Sequence, residues 1–104
     1  MNEEFYELGV NLYEKGDFEN AIIYFDKYLK SNPRESTAYD NIGLCYAQLK
    51  KYQKAISYFE KALEINPQLT EAYQNLAYVY QQIGNRDKSM EYLRKGMFTN
   101  NFNR

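Results

Sequence analysis

Apolar residues recur along this chain at helical spacing. Phe5, Leu8, Gly9 and Leu12 stand at i, i+3, i+4 and i+7, and so do Tyr39, Ile42, Gly43, Tyr46 and Tyr73, Leu76, Ala77, Tyr80. That spacing lines one face of an α-helix. A second set, Ala21, Ile22, Phe25, Tyr28, Leu29 and then Ala55, Ile56, Phe59, Ala62, Leu63, obeys the same rule. Helix breakers divide the sets: Gly16-Asp17 and Gly84-Asn85, with Lys50-Lys51 a weaker signal at the corresponding place. Asp17 is well placed as an N-cap, its carboxylate accepting from the free N–H groups of the first turn. Asn32-Pro33 and Asn66-Pro67 mark further turns, because a residue before proline avoids the helical region. The pattern predicts six helices near 3–15, 18–30, 36–49, 52–65, 70–83 and 86–98. Helices this short are marginal alone in water, so they must be held by packing on one another.

The two prolines lie 34 residues apart, each after an asparagine, and the same step links Gly9 to Gly43, Ala21 to Ala55 and Phe25 to Phe59. Three-member series run Leu8, Ile42, Leu76; Tyr24, Tyr58, Tyr92; Lys27, Lys61, Lys95; and Leu29, Leu63, Met97. The chain therefore reads as a single domain, 1–104, made of three copies of one unit at 2–35, 36–69 and 70–103.

These positions resemble the tetratricopeptide repeat, a 34-residue helix–turn–helix with a large residue, Leu-Gly, Tyr, Ala, Phe, Ala and Pro at set intervals. The second unit matches best, with Tyr39, Ile42-Gly43, Tyr46, Ala55, Phe59, Ala62 and Pro67. The first has Phe5, Leu8-Gly9, Leu12, Ala21, Phe25 and Pro33, with Tyr28 where a small residue is usual. The third departs most, reading Tyr73, Leu76-Ala77, Tyr80, Ser89, Leu93, Gly96 and Asn101. The resemblance implies an all-α, right-handed α-solenoid of three helix–turn–helix repeats with no obvious capping helix. Gly9, Gly43 and Ala77 would let the helices of a unit approach closely, facing Ala21, Ala55 and Ser89. Leu8, Ile42, Leu76, Phe25, Phe59, Ala21 and Ala55 are the expected core. Gly96 costs a helix interior about 1 kcal/mol relative to alanine, and the segment from Thr99 to Arg104 is a poor helix former, so fraying is expected there. Met90, Leu93, Met97, Phe98 and Phe102 are then expected to be partly uncovered.

Composition narrows the chemistry. Histidine is absent and Cys45 is the only cysteine, which excludes a disulfide within the chain, imidazole-based catalysis and the usual zinc and haem ligand sets. No residue that would lower a thiol pKa lies within a turn of Cys45, which reads as a small buried apolar residue. Neither a phosphate-binding Gly-rich loop nor a carboxylate pair set up for acid–base work is evident, so the chain is not expected to be an enzyme or to need a cofactor or metal. With 13 basic against 14 acidic residues, no excess of positive charge suggests nucleic acid as a partner. No apolar run approaches the roughly 20 residues that span a bilayer, and the acidic start leads directly into an amphipathic pattern unlike a signal peptide. Cytoplasmic residence without membrane association is the expectation.

What remains is protein binding. The resemblance implies a concave groove lined by the first helices of the units, taking a peptide segment of a partner. By position the groove comprises Tyr6, Val10 and Tyr13, then Asp40, Asn41, Leu44 and Gln48, then Gln74, Asn75, Tyr78 and Gln82. All fall off the core-facing stripe. Exposed tyrosines suit such a surface, with large contact area and little rotamer entropy to lose. Asn41 and Asn75, 34 apart, are expected one above the other, with carboxamides able to bond a peptide backbone. Members of the family that grip acidic chaperone tails use a clamp of Lys, Asn, Asn, Lys and Arg, where this chain has Tyr6, Val10, Asn41, Glu71 and Asn75. Only Asn41 matches, so a carboxylate clamp is not expected: the cations that would bind the terminal carboxylate are missing. Charge is uneven along the chain. Residues 2–35 hold eight acids and four bases, residues 36–69 three and four, and residues 70–104 three and five. Acidic start and basic, apolar end raise the alternative of a self-associating scaffold module, through Met90, Leu93, Met97, Phe98 and Phe102.

Overall fold

The computed structural model describes residues 3–102, and among these it contains six helices: α1 (Glu3–Glu14), α2 (Phe18–Ser31), α3 (Ser36–Gln48), α4 (Tyr52–Ile65), α5 (Thr70–Gln82) and α6 (Arg86–Phe102). Each packs on the next in sequence, and α3 also touches α5, so the chain stacks as an α-solenoid. The first five helices fall within a residue of the pattern-based limits at either end. The sixth does not fray after 98 as expected but runs on to Phe102. Its glycine is the reason. A Cβ at Gly96 would lie 3.2 Å from Cβ of Tyr73, so α6 approaches α5 closely there, and Gly96 and Thr99 are both buried. Tertiary contact overrides poor local propensity.

The turn inside each unit is the same piece of backbone. Asp17, Lys51 and Asn85 donate their N–H groups to the carbonyls of Leu12, Tyr46 and Tyr80 at 2.8, 2.9 and 2.8 Å, the six-to-one bond of a Schellman ending. That ending needs a left-handed residue, which is Gly16 (φ 84°), Lys50 (φ 62°) and Gly84 (φ 86°). Asp17 caps α2 as expected, accepting from the Asn20 N–H at 3.4 Å and the Asn20 side chain at 2.9 Å. Asn85 accepts from the Lys88 N–H at 3.1 Å, while Lys51 at the start of α4 makes no side-chain cap. Between units, the Tyr39 and Tyr73 hydroxyls donate to the Pro33 and Pro67 carbonyls at 3.2 and 3.0 Å.

Phe25, Phe59, Ile42, Leu76, Val79 and Cys45 are the largest fully buried side chains. At Gly9 and Gly43 the atoms nearest to where a Cβ would stand belong to a phenylalanine ring. A Cβ at Gly9 would sit 2.7 Å from the Phe25 ring, and one at Gly43 would sit 2.6 Å from that of Phe59. The third unit has Ala77 and Leu93 at these two positions, and Ser89 Oγ donates to the Ala77 carbonyl at 2.8 Å. One expected core residue is misplaced: Leu8 is 41% exposed, whereas Ile42 and Leu76 are fully buried. Ile42 packs in a cluster with residues of α2, and Leu76 in one with residues of α4. Among the described residues no helix precedes α1 to cover Leu8 in the same way.

Candidate functional site

The first helices, α1, α3 and α5, carry the predicted groove residues, and polar rungs between them tie the units together. Asn41 Nδ2 donates to the Tyr6 hydroxyl at 2.9 Å. Asn75 Nδ2 donates to Asp40 Oδ1 and Oδ2 at 3.1 and 3.2 Å. The two asparagines thus occupy equivalent places, and each spends an amide N–H on the preceding unit. Each carboxamide oxygen remains as an acceptor, and Asn41 also keeps a second N–H.

Tyr6 is itself half-buried, edge-on to Phe25 and Tyr28 at ring separations of 5.6 and 5.2 Å. Val10 and Tyr13 also pack on the first core cluster, with Tyr13 edge-on to Phe18 at 5.2 Å. These three are therefore walls of the site more than free contacts. Between α1 and α3 a space of about 160 Å³ is lined by Val10, Tyr13, Glu14, Phe25, Asn41 and Leu44. Between α3 and α5 a larger one, about 310 Å³, is lined by residues that include Asp40, Asn41, Leu44, Glu71, Gln74 and Asn75. Gln48, Tyr78 and Gln82 line neither space and stand exposed along the same helices.

Asp40 carries the site's electrostatics. It is only 5% exposed, with no ion-pair partner among the described residues. Burial pushes its carboxyl up to about 6; the Asn75 bond opposes this and the nearby negative charge of Glu71 adds to it. Sequence reasoning placed Asp40 on the groove but did not anticipate this role. The available signal was an offset of 35: Tyr6 to Asn41 and Asp40 to Asn75, one residue out of step with the repeat.

A second feature also escaped the sequence reading. Tyr58 stacks between α3 and α4 against Tyr39 and Tyr46 at 6.5 and 5.5 Å, and Tyr92 repeats this with Tyr73 and Tyr80 at 6.5 and 5.7 Å. Lys27, Lys61 and Lys95 lie over the rings of Tyr24, Tyr39 and Tyr92 at 5.0, 6.0 and 4.9 Å. The series of tyrosines and lysines in the sequence marks this lattice: the tyrosine stacks join α3 to α4 and α5 to α6, and in the first unit Tyr24 and Lys27 meet Phe5 of α1 at 6.1 and 5.7 Å. Cys45 is buried, and burial drives its thiol up to about 12, far from a reactive thiolate. No cluster of metal-ligating side chains occurs among the described residues, and no helix of theirs is long and apolar enough to cross a membrane.

Family models described as tetratricopeptide repeat match residues 3–35, 37–69 and 58–91. The chain belongs to the tetratricopeptide repeat family. Similar solved structures include a crystal structure of MamA, at 27% identity and a TM-score of 0.92, covering 99% of this chain and 60% of that one. This tetratricopeptide chain therefore spans 60% of the length of that MamA chain. The fold is also shared with the TPR2B domain of yeast Sti1 in a pHsp70 complex, at 24% identity, TM-score 0.90, covering 94% of this chain and 78% of that one. It is shared again with the first TPR of Spaghetti (RPAP3) bound to the HSP90 peptide SRMEEVD, at 19% identity, TM-score 0.88 and the same coverages, 94% and 78%. Among curated proteins, none matches the chain.

Proposed function

We propose that this tetratricopeptide array is a protein-interaction module that holds a peptide segment of a partner against α1, α3 and α5. The observation that carries the reading is the space between α3 and α5, where apolar Leu44 and Leu69 sit beside the acceptors of Asp40, Asn41, Gln74 and Asn75. Such a mixed lining suits a peptide, with apolar contact for affinity and a few fixed polar groups for register. That structures of the same fold are named as a pHsp70 complex and as bound to an HSP90 peptide supports it.

The ligand differs from that of a carboxylate clamp. Glu71 places negative charge at a clamp position that takes a cation, Asp40 lines the same space, and the carboxamide oxygens of Asn41 and Asn75 can accept. A neutral polar or basic segment with exposed N–H donors is the complementary chemistry. Screening a peptide library against the wild-type chain and the double variant Asn75→Ala, Tyr78→Ala tests this. Binding of neutral or basic segments is expected, lost in the double variant with an unchanged helical circular-dichroism signal. SRMEEVD serves as the clamp control. Its tight capture, or library binding unaffected by the double variant, would overturn the reading.

A further inference from the structure

Charge is sorted by helix in this chain. Helices α1, α3 and α5 carry Glu3, Glu4, Glu7, Glu14, Asp40 and Glu71 and none of the 13 Lys and Arg residues. Among the described residues the bases sit on the second helices and in the turns. The helices that line the groove therefore hold negative charge alone.

The polar rungs show that one of these carboxylates carries a charge the fold does not need. Tyr6 and Asp40 are equivalent positions, 34 apart, and so are their donors Asn41 and Asn75. In the first rung a neutral hydroxyl accepts the asparagine N–H at 2.9 Å. In the second a carboxylate accepts, its two oxygens sharing one amide nitrogen at 3.1 and 3.2 Å. A neutral acceptor thus suffices to tie two units together. The charge of Asp40 is an addition, and an unfavourable one. The residue is 5% exposed, no cation pairs with it among the described residues, and burial, with Glu71 adding to it, raises its carboxyl to about 6. Desolvated carboxylates of this kind gather at functional sites.

Asp40 lines the space of about 310 Å³ between α3 and α5, together with the exposed Glu71 and the apolar Leu44 and Leu69. Two carboxylates beside apolar surface are complementary to a lysine or arginine side chain, a long apolar stem that ends in donors. We propose that this space takes one lysine or arginine side chain of the partner peptide, its charge held by Asp40 and Glu71 and its stem lying on Leu44 and Leu69. Such a pocket rests on the peptide-binding reading and narrows the ligand from neutral or basic to basic.

Pools of end-capped peptides test it, randomised at every position but one, which is fixed as Lys, Arg, norleucine or Glu. Fluorescence anisotropy follows their binding to the whole chain, to Asp40→Asn, to Glu71→Gln and to the double variant Asn75→Ala, Tyr78→Ala. The Lys and Arg pools should bind about tenfold or more tighter than the norleucine pool, the gain of one charge-assisted hydrogen bond, and the Glu pool should bind weakest. Asp40→Asn keeps an acceptor for Asn75, so the circular-dichroism spectrum should not change. It should nevertheless erase the preference for Lys and Arg, and Glu71→Gln should reduce it. A preference for Lys that survives Asp40→Asn overturns the pocket, as does norleucine bound as tightly as Lys. In either case, loss of all binding in the double variant leaves the wider reading standing. Binding of no pool, or binding indifferent to the double variant, overturns that reading and the pocket with it.

Discussion

Lys50 is the position at which side chain and backbone disagree. The Schellman bonds closing the second unit's turn require the left-handed conformation that Gly16 and Gly84 supply in the other units, and Lys50 adopts it at φ 62°. A side chain with a Cβ is disfavoured there by roughly 1–2 kcal/mol, and part of that gain is offset because glycine is freer when unfolded. Lys50→Gly should therefore stabilise the chain by about 0.5–1 kcal/mol in a urea melt, and Lys50→Ala should not. Asp40 is the electrostatic counterpart. Its folded pKa is raised from 3.8 to about 6, so between those values the folded chain holds more proton than the unfolded one. Its contribution to stability then falls as pH rises through that window, and the cost is complete above it. Asp40→Asn keeps an acceptor for Asn75 without the charge. At pH 7.5 it should stabilise the fold by on the order of 2 kcal/mol, a gain that vanishes near pH 4. A carboxyl resonance titrating near its ordinary value would contradict the assignment.

At the scale of the helix, repeated sequence positions differ in weight according to what covers them. Phe59 is fully buried and rests on Gly43, whereas Leu93, its equivalent, is 40% exposed. Phe59→Ala should cost about 3–5 kcal/mol as a buried aromatic truncation. Leu93→Ala should cost about 1 kcal/mol or less, measured by the same melts. Helix existence and most boundaries were legible because 3.6-residue periodicity and the turn residues are local properties. The end of α6 was not, because Gly96 and Thr99 are weak helix formers that become tolerable only where α6 meets α5. The site was half legible. Periodicity named the helices and faces that line it, but whether Tyr6 is a ligand contact or a wall depends on Phe25 and Tyr28, which lie outside its own helix.

At the scale of the whole molecule, units built on one plan differ in what they bury: Ile22, Phe25, Ile56 and Phe59 are covered, whereas their counterparts Met90 and Leu93 are exposed. The sequence by itself determined the period, the six helices, the family and the absence of histidine-based chemistry, because spacing, breakers and composition are written locally. Only the tertiary structure decided that Leu8 is exposed while Ile42 is not, that Asp40 is buried beside Asn75, and that Asn41 donates to Tyr6. Each of these depends on which helix lies above or below. A repeated motif assigns equivalent residues the same local structure, but neighbours, and with them burial, charge and availability, belong to the stack.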